Sequence, residues 1–229
     1  VPVKRKYGGV PAEERRAQRR AALVDAAREV IGTQGFAALT IAGLCKNTGL
    51  NDRYFAENFD SREAIFSALI DQMVSELAVA MTAAIDTAER NLRSLGRAAI
   101  GALIEYLTDD PRNARVALIE APANPTIAQR RREVMDFFLD MMTAQFAEFF
   151  GAEETQQISN TVRFLGVHQF GALMETTTTW IAGGLAITRD ELIDLQTDLG
   201  IAAAEHIYTR APSASATAAP TDHPCANPV

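Results

Sequence analysis

The sequence predicts an all-α fold of about nine helices, and three observations predict it. Apolar positions recur at spacings of three and four rather than two. The β-branched residues are scattered, and no stretch alternates cleanly over six residues. Helix-starting and helix-stopping residues recur at regular intervals along the chain. With 229 residues of which 48% are apolar, the chain can fill a sizeable core.

Residues 1–10 read as a flexible polar arm. Pro11, followed by Glu13 and Glu14, suits a first helical turn, where a missing N–H and negative charge are both tolerated. Leu23, Ala27, Val30 and Ile31 share one face of that helix, Gly35 ends it in a left-handed turn, and Phe36 folds back onto the core. Thr40, Asn51 and the pair Asp60-Ser61 are residues of N-cap type. Asp60 with Glu63 approximates a capping box for a long helix through Ile85. Asp110-Pro111 and Asn124-Pro125 each place a cap before a proline at the first helical position. Gly151 ends a Phe-rich helix, and Thr188 with Glu191 forms a further capping box. From Ala211 onward Ala, Pro, Ser and Thr dominate without a periodic apolar face, so residues 211–229 are expected to be a disordered tail.

Charge divides the chain unevenly. The total is −7, yet residues 1–62 carry 11 Lys and Arg against 7 Asp and Glu, a net of +4, and the remainder carries −11. A basic end on an acidic body suits a surface that approaches phosphate while the rest is repelled; a merely solvated basic arm is the plainer reading. The N-terminus lacks the apolar run of a signal peptide, and no run of eighteen uncharged apolar residues occurs, so a cytoplasmic protein without a membrane partner is expected. Cys45 and Cys225 have no CxxC spacing or neighbouring histidine, so neither metal nor disulfide is expected. No nucleophile stands beside a base and no glycine-rich phosphate loop is present, so catalysis and cofactors are not expected.

The informative stretch is TIAGLCKNTGLNDRYFAENFDSREAIF, residues 40–66. Thr40 can cap a helix whose Ile41, Leu44 and Cys45 point inward. Gly49 permits the positive φ of a turn, Leu50 packs across it, and Asn51 caps a second helix of about two turns. With Phe55 and Phe59 inward, Asp52, Arg53, Tyr54 and Asn58 are left for solvent or a groove. Hydrogen-bonding side chains at the start of such a helix suit base edges in a major groove. Arg53 is the best base reader, since a guanidinium can bond both acceptors of guanine; a surface ion pair with Glu57 is its plainer role. Lys46 and Arg62 are phosphate candidates. Arg15, Arg16, Arg19 and Arg20 either follow a backbone or form a solvated face.

This stretch resembles the TetR family of transcriptional regulators, whose first three helices end in a pattern close to T-[VI]-x-x-[IL]-[AC]-x-x-x-G-[VL]-[SN]-x-x-x-[LF]-Y-x-[HN]-F-x-[ST]-[KR]-[ED]. Thr40, Gly49, Asn51, Phe55, Phe59 and Arg62 stand at expected places, and residues 15–70 carry the likeness. The usual phosphate-contacting tyrosine is Ala56 here, and Asn58 replaces the commoner histidine. The resemblance implies a three-helix DNA-binding domain over residues 11–60, with Thr40, Asn51 and the residues above at the DNA. It further implies a helical ligand-binding and dimerisation domain over residues 61–210. The whole would be a homodimer on a pseudo-palindromic duplex operator, commonly a repressor, released by a small apolar or amphipathic effector.

The body supplies candidates for both remaining tasks. Residues 126–150 hold more Phe and Met than one helix face requires, as an apolar cavity would need. Tyr106, Phe138, Met142, Phe164 and His168 are its expected lining, although helix packing or a partner subunit would also cover such bulk. Leu173, Trp180, Leu192, Leu195 and Leu199 are the expected dimer contacts. A carrier protein that keeps this body without specific DNA recognition is the alternative reading.

Overall fold

The computed structural model describes residues 11–210, and every described regular element is helical. The arm and the tail, with His223 and Cys225, lie outside the described residues. Helix α1 (Ala12–Gln34) starts after Pro11 and buries Leu23, Ala27, Val30 and Ile31 together with Val24. Gly35 has φ +91° and ψ 164°, so the turn is not the left-handed helical one expected but an extended positive-φ bend essentially reserved for glycine. That bend turns Phe36 back onto Phe66, with ring centroids 5.0 Å apart.

Two short helices follow. In α2 (Ile41–Thr48) the Thr40 hydroxyl accepts the Gly43 N–H at 3.1 Å, and Gly49 closes the helix at φ +68°. In α3 (Asp52–Ala56) the Asn51 side chain accepts the Tyr54 N–H at 3.1 Å. The next cap differs from expectation. Ser61, not Asp60, caps α4 (Arg62–Thr87) by accepting the Ala64 N–H, so the Asp60–Glu63 box does not form and the helix runs two residues beyond Ile85. By length and composition α4 could cross a membrane, but Phe66, Leu69, Met73 and Leu77 bury its inner face in this fold.

The body is built from α5 (Leu92–Asp109), α6 (Pro111–Ala114), α7 (Ala121–Ala123), α8 (Ala128–Phe150), α9 (Ala152–Gln157), α10 (Ser159–Ile181) and α11 (Arg189–Arg210). Between α6 and α7 the chain winds as a π-helix over Arg115–Glu120. Together with the short α9 after Gly151, this break brings the described residues to eleven α-helices, where about nine helices were expected. The Asp110 cap and the Thr188–Glu191 box form as read; Glu191 accepts the Thr188 N–H at 2.7 Å.

The main core joins α1 to α4 and continues into the body through Val116, Ala121 and Ile127. A separate cluster of Ile104, Leu192 and Ile193 fastens α11 to α5, reinforced by Arg97 on Asp194 at 2.8 Å and Arg93 on Asp198 at 2.9 Å. Leu192 is therefore a core residue and not a dimer contact. Position 192 shares the inward face of α11 with Gln196, while Leu195 and Leu199 fall on the outward one.

Candidate nucleic-acid interface and ligand cavities

The outward surface of α3 is defined by what lies beneath it. Phe55 and Phe59 are buried with centroids 5.8 Å apart, which forces Asp52, Arg53 and Ala56 to face solvent. Arg53 is 83% exposed, and its Nε donates to Glu57 Oε1 at 3.1 Å. An exposed pair in this order is worth only about 0.3 kcal/mol, so the guanidinium can leave it readily. Thr40 and Lys46 of α2 and the Asn51 cap are exposed nearby in sequence.

Three other expected contacts are committed to the fold. The Asn58 amide donates to the Tyr54 carbonyl at 2.7 Å, which ties down the end of α3. Tyr54 is half-buried, with the Arg19 guanidinium 4.5 Å from its ring centroid. Arg62 donates to the Leu39 carbonyl at 2.9 Å and lies 5.3 Å over Phe36, so it braces the turn before α2. The arginines of α1 take part as well: Arg16 donates to the Glu57 carbonyl, and Arg20 sits 5.0 Å over Phe59. Arg16, Arg19 and Arg20 thus support α3 from behind. Their spacing of three and four could have shown that they share a face, though not what that face meets.

A polar cluster links α1 to the body. The two Glu76 carboxylate oxygens accept from Arg28 at 2.7 Å each; the Tyr106 hydroxyl donates to Glu76 at 2.6 Å, and the Gln72 amide donates to it at 2.9 Å. Burial alone would raise the Glu76 carboxyl, but these donors and the Arg28 charge outweigh it and hold the group below its ordinary value of 4.5. Burial first, and then Glu76, push the Tyr106 phenol upward. A depressed native carboxylate stabilises the fold above its unfolded value, and the contribution is lost as pH falls through the native value. Glu76→Gln should therefore lower stability by about 1–2 kcal/mol at neutral pH and by progressively less below about pH 4.5. Urea midpoints at pH 7 and pH 3.5 would test this, and an equal loss at both would refute it.

Two cavities open in the body. The smaller, about 220 Å³, lies among α4, α5, α8, α10 and α11 and is almost wholly apolar, with Phe138 and Met142 in its wall. The larger, about 480 Å³, lies between α4, α5, the π-helix, α8 and α10 and includes Tyr106, Phe138, Arg131 and Arg132. Tyr106 offers it a ring, its hydroxyl being bonded to Glu76. Phe164 and His168 line neither cavity. Because α10 turns Val162, Leu165 and Gly166 inward, Phe164 is left 68% exposed with His168 stacked on it at 6.3 Å. Val167 of α10 and Leu195 and Leu199 of α11 are exposed apolar residues as well. Leu173 and Trp180 are half-buried against the α11 core, where Trp180 Nε1 donates to the Ile187 carbonyl at 2.8 Å.

The π-helix stands between the larger cavity and the N-terminal helices. Ala117 and Leu118 line the cavity. Meanwhile Arg115 donates to the Thr33 carbonyl at 3.1 Å, and Glu120 accepts the Phe36 N–H at 3.0 Å.

A helix-turn-helix segment is thus joined to a helical body that holds two cavities. Residues 23–69 match the model of the bacterial regulatory proteins of the tetR family. No curated protein matches the sequence. Among solved structures, the fatty acid degradation regulator FadR from Bacillus halodurans is 18% identical with a TM-score of 0.66, covering 80% of this chain and 94% of its own. FadR from Bacillus subtilis, solved in complex with stearoyl-CoA, is 20% identical with a TM-score of 0.66, covering 80% and 98%. A TetR-like transcriptional regulator from Rhodococcus sp. RHA1 is 17% identical with a TM-score of 0.60, covering 81% and 94%. These likenesses establish a shared fold.

Proposed function

We propose that the chain is a ligand-responsive repressor that binds a pseudo-palindromic operator as a homodimer and is released by a long, largely apolar effector. One observation carries the reading: a capped five-residue helix, shorter than the two turns expected and braced from behind by Phe55, Phe59 and the arginines of α1, presents Arg53 outward on a weak, exchangeable pair. Residues 11–60 form the DNA-binding unit, with Thr40, Lys46, Asn51, Asp52 and Arg53 at the groove. Tyr54, Asn58 and Arg62 hold that unit in shape.

Residues 61–210 hold the effector and the partner copy. Leu195 and Leu199, with Phe164 and Val167, supply a self-complementary apolar face for a two-fold dimer. Such a dimer sets two recognition helices one DNA turn apart, about 34 Å. The stearoyl-CoA in the Bacillus subtilis relative supports an effector with a long apolar part.

The test is selection of genomic fragments by the purified protein at two salt concentrations, followed by footprinting. The expected result is a protected pseudo-palindrome whose affinity falls steeply with salt, as phosphate neutralisation requires. Weak retention indifferent to sequence would overturn the operator and leave a carrier, a reading to which Ala56 in place of the family's tyrosine lends support.

A further inference from the structure

The charges around the larger cavity are arranged against the electrostatics of their own helix. Arg130, Arg131 and Arg132 follow closely on the start of α8 at Ala128, where the helix macrodipole disfavours cations. Arg130 is neutralised by Asp71 and by Glu133, the latter at 2.9 Å. Arg131 and Arg132 make no ion pair among the described residues, and both line the cavity. The only other charged group in that wall is Glu175, so the rim keeps a net positive charge on a body that carries −11 from residue 63 onward.

Away from the arginines the wall becomes apolar. Leu103, Phe138 and Phe170 border both cavities, and the two rings stack at 6.2 Å, so the two spaces adjoin across these side chains. The smaller cavity has no charged residue in its wall. Polarity therefore falls in one direction, from two exposed guanidiniums, past a pair of aromatic rings, into an uncharged and almost wholly apolar end. A compact apolar molecule would leave the arginines unused, and a small anion would leave the apolar end empty.

We infer that the two cavities are one site for a single-chain anionic amphiphile. Its carboxylate or phosphate head pairs with Arg131 and Arg132, and its aliphatic tail passes between Phe138 and Phe170 into the smaller cavity. The regulatory meaning of this site rests on the effector-responsive reading above, whereas binding itself is independent of DNA.

The experiment is calorimetric titration of delipidated full-length protein with palmitate, octanoate, hexadecanol and palmitoyl-coenzyme A, each below its micelle concentration. Palmitate or palmitoyl-coenzyme A should bind at least tenfold more tightly than hexadecanol. The double variant Arg131→Ala/Arg132→Ala should abolish that margin without weakening hexadecanol. Whichever anion binds more tightly identifies the head as a free carboxylate or a phosphate-bearing thioester.

Octanoate should bind at least tenfold more weakly than palmitate. Ala99→Phe, which fills the smaller cavity, should remove the advantage of the longer chain and leave octanoate unchanged. Equal binding of palmitate and hexadecanol, or an anion preference that survives the double variant, would overturn the head-group assignment. A chain-length dependence that survives Ala99→Phe would overturn the path of the tail. Either failure leaves the operator test untouched, because no DNA is present.

Discussion

Arg53→Ala should weaken specific operator binding by about 2–6 kcal/mol, because a bidentate contact to guanine worth ~1–3 kcal/mol is lost once in each half of a two-fold dimer. The affinity should fall by roughly 30-fold at the least. Folding should be nearly untouched: the side chain is 83% exposed, and the Glu57 pair it gives up is worth only about 0.3 kcal/mol. The contrast that identifies base reading is Lys46→Ala. This exposed residue of α2 makes no ion pair among the described residues. Its loss should weaken all sequences alike and reduce the salt slope by about one per subunit. Fluorescence anisotropy on operator and scrambled duplexes at two salt concentrations separates the two effects. If Arg53→Ala lowers both duplexes equally, Arg53 is a phosphate contact and sequence reading belongs to its neighbours.

Much of this site could be read from local sequence because its parts are governed by local physics. Thr40 and Asn51 have short oxygen-bearing side chains that satisfy the first N–H groups of the next helix. Gly49 supplies a positive φ, and the 55/59 spacing puts two phenylalanines on one side of a short helix. The Asp60-Ser61 pair offers two equally suitable caps, and only the direction of entry into α4 decides for Ser61. Polar residues posed a different difficulty. Asn58 and Arg62 look like groove contacts in sequence, yet backbone carbonyls claim them: for Asn58 that of Tyr54 four residues earlier, for Arg62 that of Leu39, which no local pattern points to. In α10 and α11 apolar residues occupy more than one face, so periodicity could not separate Leu192, which packs on Ile104, from Leu195 and Leu199, which face outward. The π-helix over Arg115–Glu120 carries no local signal, since its register is set by the contacts that Arg115 and Glu120 make with the end of α1.

Those same contacts make Gly32→Ala destabilising, against the usual sense of that substitution in a helix. Alanine within α1 should gain about 1 kcal/mol from helix propensity alone. Gly32, however, is buried where α6 crosses α1, and an added Cβ would stand 2.9 Å from the Arg112 Cα and closer still to its Cβ. Backbone cannot be displaced as a side-chain tip can. The substitution must therefore push α6 away from α1, at a cost of about 1–3 kcal/mol. That displacement strains the exposed Arg112 contact with Glu29 at 2.6 Å and the adjoining bonds of Arg115 and Glu120, each worth up to about 1 kcal/mol. The net expectation is a loss of about 2 kcal/mol in urea unfolding. Gly96→Ala is the control: it too lies inside a helix, but its added Cβ would meet only the Thr197 Cγ2 at 3.7 Å, an ordinary contact. It should be neutral or stabilising by up to about 1 kcal/mol. Because α6 and the π-helix stand between the larger cavity and α1, Gly32→Ala should also blunt the effect of a bound amphiphile on DNA release while leaving its binding to the cavity intact. Equal stability of the two variants would mean that α6 does not press on α1 at Gly32, and a link from cavity to recognition helix would then rest on the π-helix contacts of Arg115 and Glu120 and on Arg28, Glu76 and Tyr106.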